Sequence, residues 1–349
     1  MVLDIIFREK DEKSFWNAWG ELLLKTKAGP RYLQSTIQYK LERSENLQSD
    51  KSFVAFLNGK PVSCVFLPVE KHENFLMASF RGEYLDAPLF ENLAVQKAVF
   101  SSLDEIAKDN ALSKIMFAID PLAGEGGAYN YLQKYGYLDT SLLSYVIDLA
   151  KFENLLNGCR ENHRRSIKEI LNNKDFEVFY MDETNPSYEI HEEYRLLHHK
   201  ASGRATRSKK TFDMQFEKLK QGNAALVGLR YKQKNIASLY FEHNFDKALY
   251  VSGADDPAYA KFPLYHVLMY SAMEYFKKRG VRELDTSQPS SPSLQFDYYP
   301  DEKQLNIALF KRGFGGDFKP LFRGVKYFSK ELFEKDMKTF ISQYEQKIF

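Results

Sequence analysis

Cysteine is nearly absent. Cys64 and Cys159 are the only two in 349 residues, too few for a disulfide framework or a cysteine-built metal site, and this points to a reducing compartment. An excess of either charge is missing too. Lys plus Arg number 49 against 47 Asp plus Glu, a formal net charge of +2, which removes any whole-molecule electrostatic case for DNA or an anionic membrane and leaves polyanion binding to local clusters. No apolar run approaches the roughly 20 residues of a membrane-spanning helix. The start, Met1-Val-Leu-Asp-Ile-Ile-Phe-Arg-Glu-Lys10, mixes acids and bases around a short apolar run and carries no cleavage-site pattern. We therefore expect a cytoplasmic protein. The Gly-x-Ser-x-Gly elbow, the Walker loop, a Gly-x-Gly-x-x-Gly after a strand and His-Glu-x-x-His are likewise missing, and no metal site is expected.

What is present is a foldable chain with a faint duplication. With 44% apolar and 15% aromatic residues it buries a core, and its length exceeds what a single core usually serves, so two domains are expected. Phe53 to Leu67 reads as two apolar strands about an Asn58-Gly59 turn, and Ala224 to Phe241 reads the same way about Lys232-Gln233-Lys234. Each hairpin precedes a further strand-like run, an apolar-periodic helix (Asn92 to Asp109; Leu264 to Arg279) and a short strand (Lys114 to Asp120; Val281 to Thr286). The copies close on Lys134-Tyr-Gly136-Tyr137 and Lys311-Arg-Gly313-Phe314. Lys60 and Gly136 are 76 positions apart and Lys234 and Gly313 are 79 apart, so spacing agrees with order. We expect two α/β halves, each a mixed sheet flanked by helices, with a boundary near residue 150: domain 1–150, and domain 151–349 carrying the active cleft. The strand-like 143–149 leads up to that boundary and a charged helix, Glu161 to Asn172, opens the second half. A helix from Tyr188 to about Gly203 precedes its hairpin, and Ser329 to Phe349 reads as an amphipathic closing helix that packs on the body.

Several groups could carry chemistry. His198 and His199 are neighbours about 100° apart on a helix, so at most one points into a cleft. Lys200-Ala-Ser-Gly-Arg204-Ala-Thr-Arg207-Ser-Lys209-Lys210 holds five bases and no acid, a composition suited to phosphate or carboxylate. Arg160, Arg164 and Lys168 share one helical stripe, with Arg165 beside it; such a stripe can track phosphates or simply face solvent. The run Tyr250-Val-Ser252-Gly-Ala-Asp255-Asp256 leads from a strand toward a helix carrying His266, with Asp285, Gln288 and Lys311 further on, and strand ends that feed helices are where open α/β sheets place ligands. Gly124-Glu-Gly-Gly127 reads as a turn.

Taken together, the doubled hairpin-helix-strand unit, the entry helix with His163-Arg-Arg-Ser-Ile167, Tyr250-x-Ser-Gly-Ala-Asp-Asp256 and Phe310-Lys-Arg-Gly-Phe-Gly-Gly316 resemble the FemAB-like branch of the GNAT acyltransferases. The resemblance implies two tandem GNAT-like domains and attack of an amine on an activated acyl group, with backbone amides near Tyr250 to Gly253 receiving the oxyanion. It implies a base among Glu242, His243, Asp255, Asp285 and His266, Tyr240 or Tyr250 as proton donor, and substrate contacts from Arg164, Arg165, His199, Arg204, Arg207, Ser252, His266, Gln288 and Lys311. The expected donor is acyl-CoA and the expected acceptor an amine on an envelope-glycan or nucleotide-sugar precursor. The alternatives are an aminoacyltransferase fed by aminoacyl-tRNA and a non-catalytic binding module. One departure stands out. The glycine-bearing loop that holds acetyl-CoA in simple GNAT enzymes is replaced here by Tyr259-Ala-Lys-Phe-Pro-Leu-Tyr265, which has no glycine to let amides close on a pyrophosphate. A first half without a site of its own completes the expectation.

Overall fold

A computed structural model of the chain describes residues 2–124, 128–289 and 297–349, with the side chains of 287–289 excepted. The chain divides into two compact units: Met1–Leu143 with Ser291–Lys303 and Pro320–Phe349, and Ser144–Ser290 with Gln304–Lys319. This differs from the boundary expected near 150 and from a continuous second domain 151–349. The reasons lie in strand pairing. The strand Leu142–Asp148 pairs antiparallel with Glu283–Pro289 of the second unit. At the other end Arg323–Tyr327 pairs antiparallel with Lys114–Ala118 of the first unit, and the helix Lys330–Ile348 that follows is tied there by Lys114 and Tyr327, both donating to Asp336 at 2.8 Å.

In the first unit one sheet runs Asp4–Phe7, Phe53–Leu57, Lys60–Val65, Leu89–Phe90. A second holds the strand Lys114–Ala118, and the edge of this strand stays paired. Phe75–Ala78 runs parallel to it at Lys114 and Ile115, and Leu85–Asp86 takes over at Phe117 and Ala118. The turn between these two short strands is held by Glu70, fully buried, which accepts from Ser79 Oγ at 2.8 Å, His72 Nε2 at 3.0 Å and the amides of Arg81 and Gly82 at 2.9 and 3.1 Å. Ser79 and the His72 ring nitrogen reach the same carboxylate oxygen, so the three form a hub for the turn and not a nucleophile relay.

The second unit is one seven-stranded sheet between two helical layers. We label its strands β1 (Leu142–Asp148), β2 (Phe176–Met181), β3 (Ala224–Tyr231), β4 (Lys234–Asn244), β5 (Lys247–Asp255), β6 (Glu283–Pro289) and β7 (Asp317–Leu321), and its helices α1 (Glu161–Leu171), α2 (Tyr188–Ser202), α3 (Lys209–Lys220), α4 (Leu264–Lys278) and α5 (Glu302–Lys311). The strand order is β2-β3-β4-β5-β6-β1-β7. Alternation decides which face each strand residue joins. Ala225, Val227, Leu229, Leu239 and Phe241 pack with Ile167, Ile170, Val267 and Leu268 of α1 and α4, whereas Ala224, Leu226 and Tyr240 pack with Tyr194, Leu197, Phe212 and Leu219 of α2 and α3. The β3–β4 turn places both Lys232 and Gln233 at positive φ (49° and 66°), the backbone that the Asn58-Gly59 turn also adopts (52° and 74°), so the expected twin hairpins are present with the same turn geometry.

The two closing signatures are not equivalent. Gly136 ends a short helical turn in the left-handed region (φ 80°), but in the second unit that conformation belongs to Gly315 (φ 80°). Gly313 is needed for a different reason: a Cβ there would lie 2.1 Å from His163 Nε2.

On the α2–α3 face, Glu242 forms an ion pair with Lys218 at 2.6 Å, the two side chains being 4% and 0% exposed. Removing one partner of such a pair strands the other charge in the interior, at a cost of about 3–5 kcal/mol, while replacing both with apolar groups is often neutral. Chemical denaturation should therefore show Lys218→Met strongly destabilised and the double variant Lys218→Met/Glu242→Leu restored to within about 1 kcal/mol of the parent.

Candidate functional site

The site begins where the central sheet comes apart. β5 and β6 run parallel but, among the described residues, pair only at Lys247–Glu283, Ala248–Leu284 and Leu249–Asp285. Beyond Leu249 the pairing of β5 continues on its β4 side alone, with a bulge: Phe241 faces Tyr250 and Tyr240 faces Ser252, leaving Val251 over. A bulge inserts one residue and shifts alternation by one. Ala248 and Tyr250 therefore share the α1–α4 face with Gly253 and Asp255, and Ser252 and Ala254 look toward α2.

The contacts bear this out. Tyr265 on α4 donates to Asp255 Oδ1 at 2.7 Å, and the hydroxyls of Tyr194 on α2 and Ser252 are 2.6 Å apart. Gly253 lets Tyr250 fold back over the strand, since a Cβ there would meet the Tyr250 hydroxyl at 2.8 Å. Opposite, on β6, Asp285 and Thr286 are fully buried; Ser144 Oγ donates to Asp285 Oδ1 at 3.0 Å and Thr286 Oγ1 to the Tyr145 carbonyl at 2.9 Å. Lys311 at the end of α5 completes the group. It is 3% exposed, donates to the Thr286 carbonyl at 2.5 Å and stands 5.3 Å from the Tyr250 ring centre.

Electrostatics set the state of these groups. Burial pulls the Lys311 ammonium down from 10.5 to about 8, against the opposing pull of Asp285, so Lys311 titrates close to neutrality and can hold or release a proton there. Burial raises Tyr250 and Tyr265, with Asp255 adding to both, so both remain phenols.

Of the residues singled out in the sequence, Tyr250, Ser252, Asp255, Asp285 and Lys311 come together at this parting. Gln288 lies on β6 with its side chain outside the described residues, as do residues 125–127 of the glycine-rich stretch. The others go elsewhere. Glu242 is consumed by Lys218. His243 lies near the β4–β5 turn, packed edge-on against Phe276 at 5.5 Å and held by burial down to about 4. His266 packs edge-on against His163 at 4.5 Å and Phe310 at 5.0 Å, with burial likewise holding it at about 4; neither is poised as a base near neutral pH. Tyr240 is fully buried and donates to the Gln215 carbonyl at 2.8 Å.

The basic runs are largely spent on the protein itself. Arg160 donates to the Leu309 carbonyl at 2.9 Å, Arg164 to the Cys159 carbonyl, and Arg165 is exposed 3.7 Å from Glu161. Lys200 and Lys234 both bind the buried Asp256, at 2.7 and 3.1 Å, and Lys209 pairs with Asp213 at 3.1 Å. Arg207 lies 3.8 Å over the Phe212 ring and donates to Gln215 Oε1 at 2.7 Å, His199 lies 3.4 Å from the Arg195 guanidinium, and Arg204 is exposed. Tyr194, Tyr265, Ser144 and Thr286 were not foreseen. Tyr194 stands four residues before His198 on one helix face, a spacing that could have flagged it; the other three are placed only by the sheet.

The loop from β5 to α4 is closed on itself. Ala258 N binds the Asp256 carboxylate, and the amides of Tyr259, Ala260, Phe262, Leu264 and His266 reach the carbonyls of Asp256, Pro257, Tyr259, Phe262 and Pro263. Among the described residues no group of three or more His, Cys, Asp or Glu side chains is arranged to hold a metal ion, and no helix is long and apolar enough to cross a membrane.

With this geometry in hand, comparison with known proteins is informative. Residues 157–292 match the family model of the acetyltransferase (GNAT) domain. The matched segment is a GNAT domain, and the fold of the whole chain is shared with solved structures at low sequence identity. The structure of FemX is similar over 91% of this chain and 98% of its own, at 13% identity and a TM-score of 0.66. A tandem GNAT protein from the clavulanic acid biosynthesis pathway covers 93% and 97% at 14% identity and a TM-score of 0.52. The C-terminal domain of a putative lysylphosphatidylglycerol synthetase from Agrobacterium fabrum covers 93% and 94% at 13% identity and 0.59. No curated protein sequence matches the chain.

The Lys311 ammonium yields a stability prediction with a definite sign. Its folded-state pKa, about 8, lies below the ordinary 10.5, so between these values the unfolded chain binds more protons and stability rises with pH. The cost is fully present below pH 8, amounts to about 3 kcal/mol, and disappears as pH climbs past 10. Lys311→Met should be more stable than the parent at pH 7, and the gap should close in denaturation curves taken from pH 8 to 10.5.

Proposed function

We propose that this protein is an N-acyltransferase working at the parting of β5 and β6, taking an acyl group from an acyl thioester to an amine on an envelope-glycan or nucleotide-sugar precursor. The observation that carries the reading is the parting itself: three paired residues, then a bulged strand whose β6-side edge has no strand partner among the described residues, beside a buried lysine of depressed pKa. An amine attacking the acyl carbon there places the developing oxyanion against backbone amides of β5, donors fixed before reaction. Lys311, beside Tyr250 and anchored on Thr286, adds positive charge at the same place. The carbon–sulfur bond breaks, the thiolate takes a proton, and the amine nitrogen gives one up to Asp285 or to solvent. Tyr250, kept a phenol by burial, is the proton donor nearest Lys311.

A second donor, aminoacyl-tRNA, is favoured by the loop from β5 to α4. Six of its amides, those of Ala258, Tyr259, Ala260, Phe262, Leu264 and His266, are committed to its own carbonyls and the Asp256 carboxylate, which weakens the usual grip on the CoA pyrophosphate. An ester carried by tRNA needs no such grip.

Calorimetric titration with acetyl-CoA, beside desulfo-CoA and charged tRNA, separates the two. Saturable CoA binding supports the thioester reading; binding of charged tRNA without CoA binding transfers the reading to the aminoacyl ester; neither, in a folded sample, rejects acyl transfer. With the donor known, Lys311→Met should lower kcat by about 100-fold with little change in donor Kd, as expected when a charge acting on the transition state is removed.

A further inference from the structure

On the α2–α3 face the interior holds polar atoms for which the described residues provide no partner. Gln215, fully buried on α3, has its carbonyl oxygen turned to Arg207, which fixes the orientation of the amide and sends its NH2 the other way; that nitrogen has no hydrogen-bond partner. His191 on α2, 1% exposed, binds the Phe212 carbonyl through Nε2 at 2.8 Å. A carbonyl only accepts, so Nε2 carries the proton and Nδ1 is a bare lone pair, also unpartnered. His198 Nε2 is a third such atom.

His191 and His198 lie about one ring, to which Gln215 is joined through Arg207. The Phe212 centroid is 6.5 Å from that of His191, 5.5 Å from His198 and 6.0 Å from Tyr194, with Arg207 stacked over it at 3.8 Å. Buried polar atoms are normally satisfied, and a cluster of exceptions marks a place where a polar molecule belongs. Tyr194 connects the cluster to the parting: its ring lies 4.7 Å from His198 and its hydroxyl 2.6 Å from Ser252 Oγ, next to the bulge.

The charge present narrows the occupant. Burial holds His191 at about 4 and His198 at about 3, so both are neutral at physiological pH. Lys209 is paired with Asp213, and Lys200 with Asp256. The Arg207 guanidinium, held over Phe212 and against Gln215 Oε1, offers a planar fork that matches the geometry of a carboxylate. The Gln215 N–H groups call for acceptor oxygens, and His191 Nδ1 calls for a donor on the same ligand.

We propose that Gln215, Arg207, His191 and His198 recognise the carboxylate and adjoining N–H or O–H of an amino- or hydroxy-acid moiety on the acceptor substrate. The proposal rests on the acyltransferase reading above and specifies which acceptors it takes.

The test uses the full chain with L-alanine, D-alanine and lactate as probes, and alaninamide and inorganic phosphate as comparators, in thermal-shift and calorimetric titrations. At least one of the three carboxylates should bind saturably, with alaninamide and phosphate at least tenfold weaker. Gln215→Leu should weaken that binding at least tenfold while the unliganded melting temperature stays equal or rises, because it removes an unsatisfied buried group. Arg207→Met, which keeps contact with Phe212, should do the same and serves if the first variant fails to fold. No saturable carboxylate binding below 50 mM, binding of phosphate at least as tight, or unchanged binding in both variants overturns the proposal. The two readings fail separately. Turnover with an unchanged acceptor KM in both variants sinks the carboxylate site and leaves acyl transfer standing, whereas Gln215-dependent binding without turnover by any donor does the reverse.

Discussion

The geometry of the second unit depends on the short pairing of β5 with β6. Parallel strands in an α/β sheet ordinarily stay hydrogen-bonded along their shared length, because unpaired backbone in an interior is costly. Here the ladder stops after Leu249 and Asp285, and the bulge at Val251 turns the next residues of β5. Two consequences follow from that single irregularity. Among the described residues an edge of β5 is left without a strand partner, and alternation is reset so that Ser252 meets Tyr194 on one face while Tyr250 and Asp255 address Lys311 and Tyr265 on the other. The first unit shows the contrast. It repeats the hairpin and the parallel pairing, but Leu85–Asp86 takes up the edge that Phe75–Ala78 leaves, and the Glu70 hub holds the intervening turn closed.

Burial does more than charge to define the chemistry. A lysine at the surface titrates near 10.5; Lys311, enclosed between β6 and Tyr250, titrates at about 8, so it still carries its charge at pH 7 but gives it up just above neutrality. The histidines are driven the other way from usefulness as bases, since burial keeps His198, His191, His243 and His266 neutral well below pH 7. Their value is as fixed hydrogen-bonding groups whose protonation does not change across the physiological range. The same logic applies to the basic clusters. Arg160 and Arg164 hold backbone carbonyls and Lys200 and Lys234 hold Asp256, so positive charge that looks available along the chain is largely engaged in closing loops.

Much of the architecture was legible along the chain, and the reasons are local. The twin hairpins announce themselves by apolar runs about Asn58-Gly59 and Lys232-Gln233-Lys234, and the helices 96–109, 161–171, 188–202 and 264–278 by their period. The unit boundary was not legible. It depends on where Leu142–Asp148 and Arg323–Tyr327 find their hydrogen-bonding partners, more than a hundred residues away, and nothing in a strand's own residues names its neighbour. Glu242 illustrates the same limit at a single position: a glutamate on a strand beside a candidate site reads as a base until Lys218 is brought from α3 to neutralise it.

What the sequence determined by itself was the twin hairpins with the helices and short strands that follow them, the duplication, the mixed α/β class and the run Tyr250 to Asp256 as the place where a strand gives way to a loop, because these follow from interactions within a few residues; the helices Lys209–Lys220 and Glu302–Lys311 were not among them. Tertiary structure alone decided which polar residues meet. The parting of β5 from β6, the burial that shifts Lys311, the closure of the 256–263 loop on its own amides and the unpartnered Gln215 beside His191 and His198 all arise from contacts between elements distant in the chain. Each depends on desolvation and on long-range hydrogen bonding, and both exist only once the sheet and its helical layers enclose the groups.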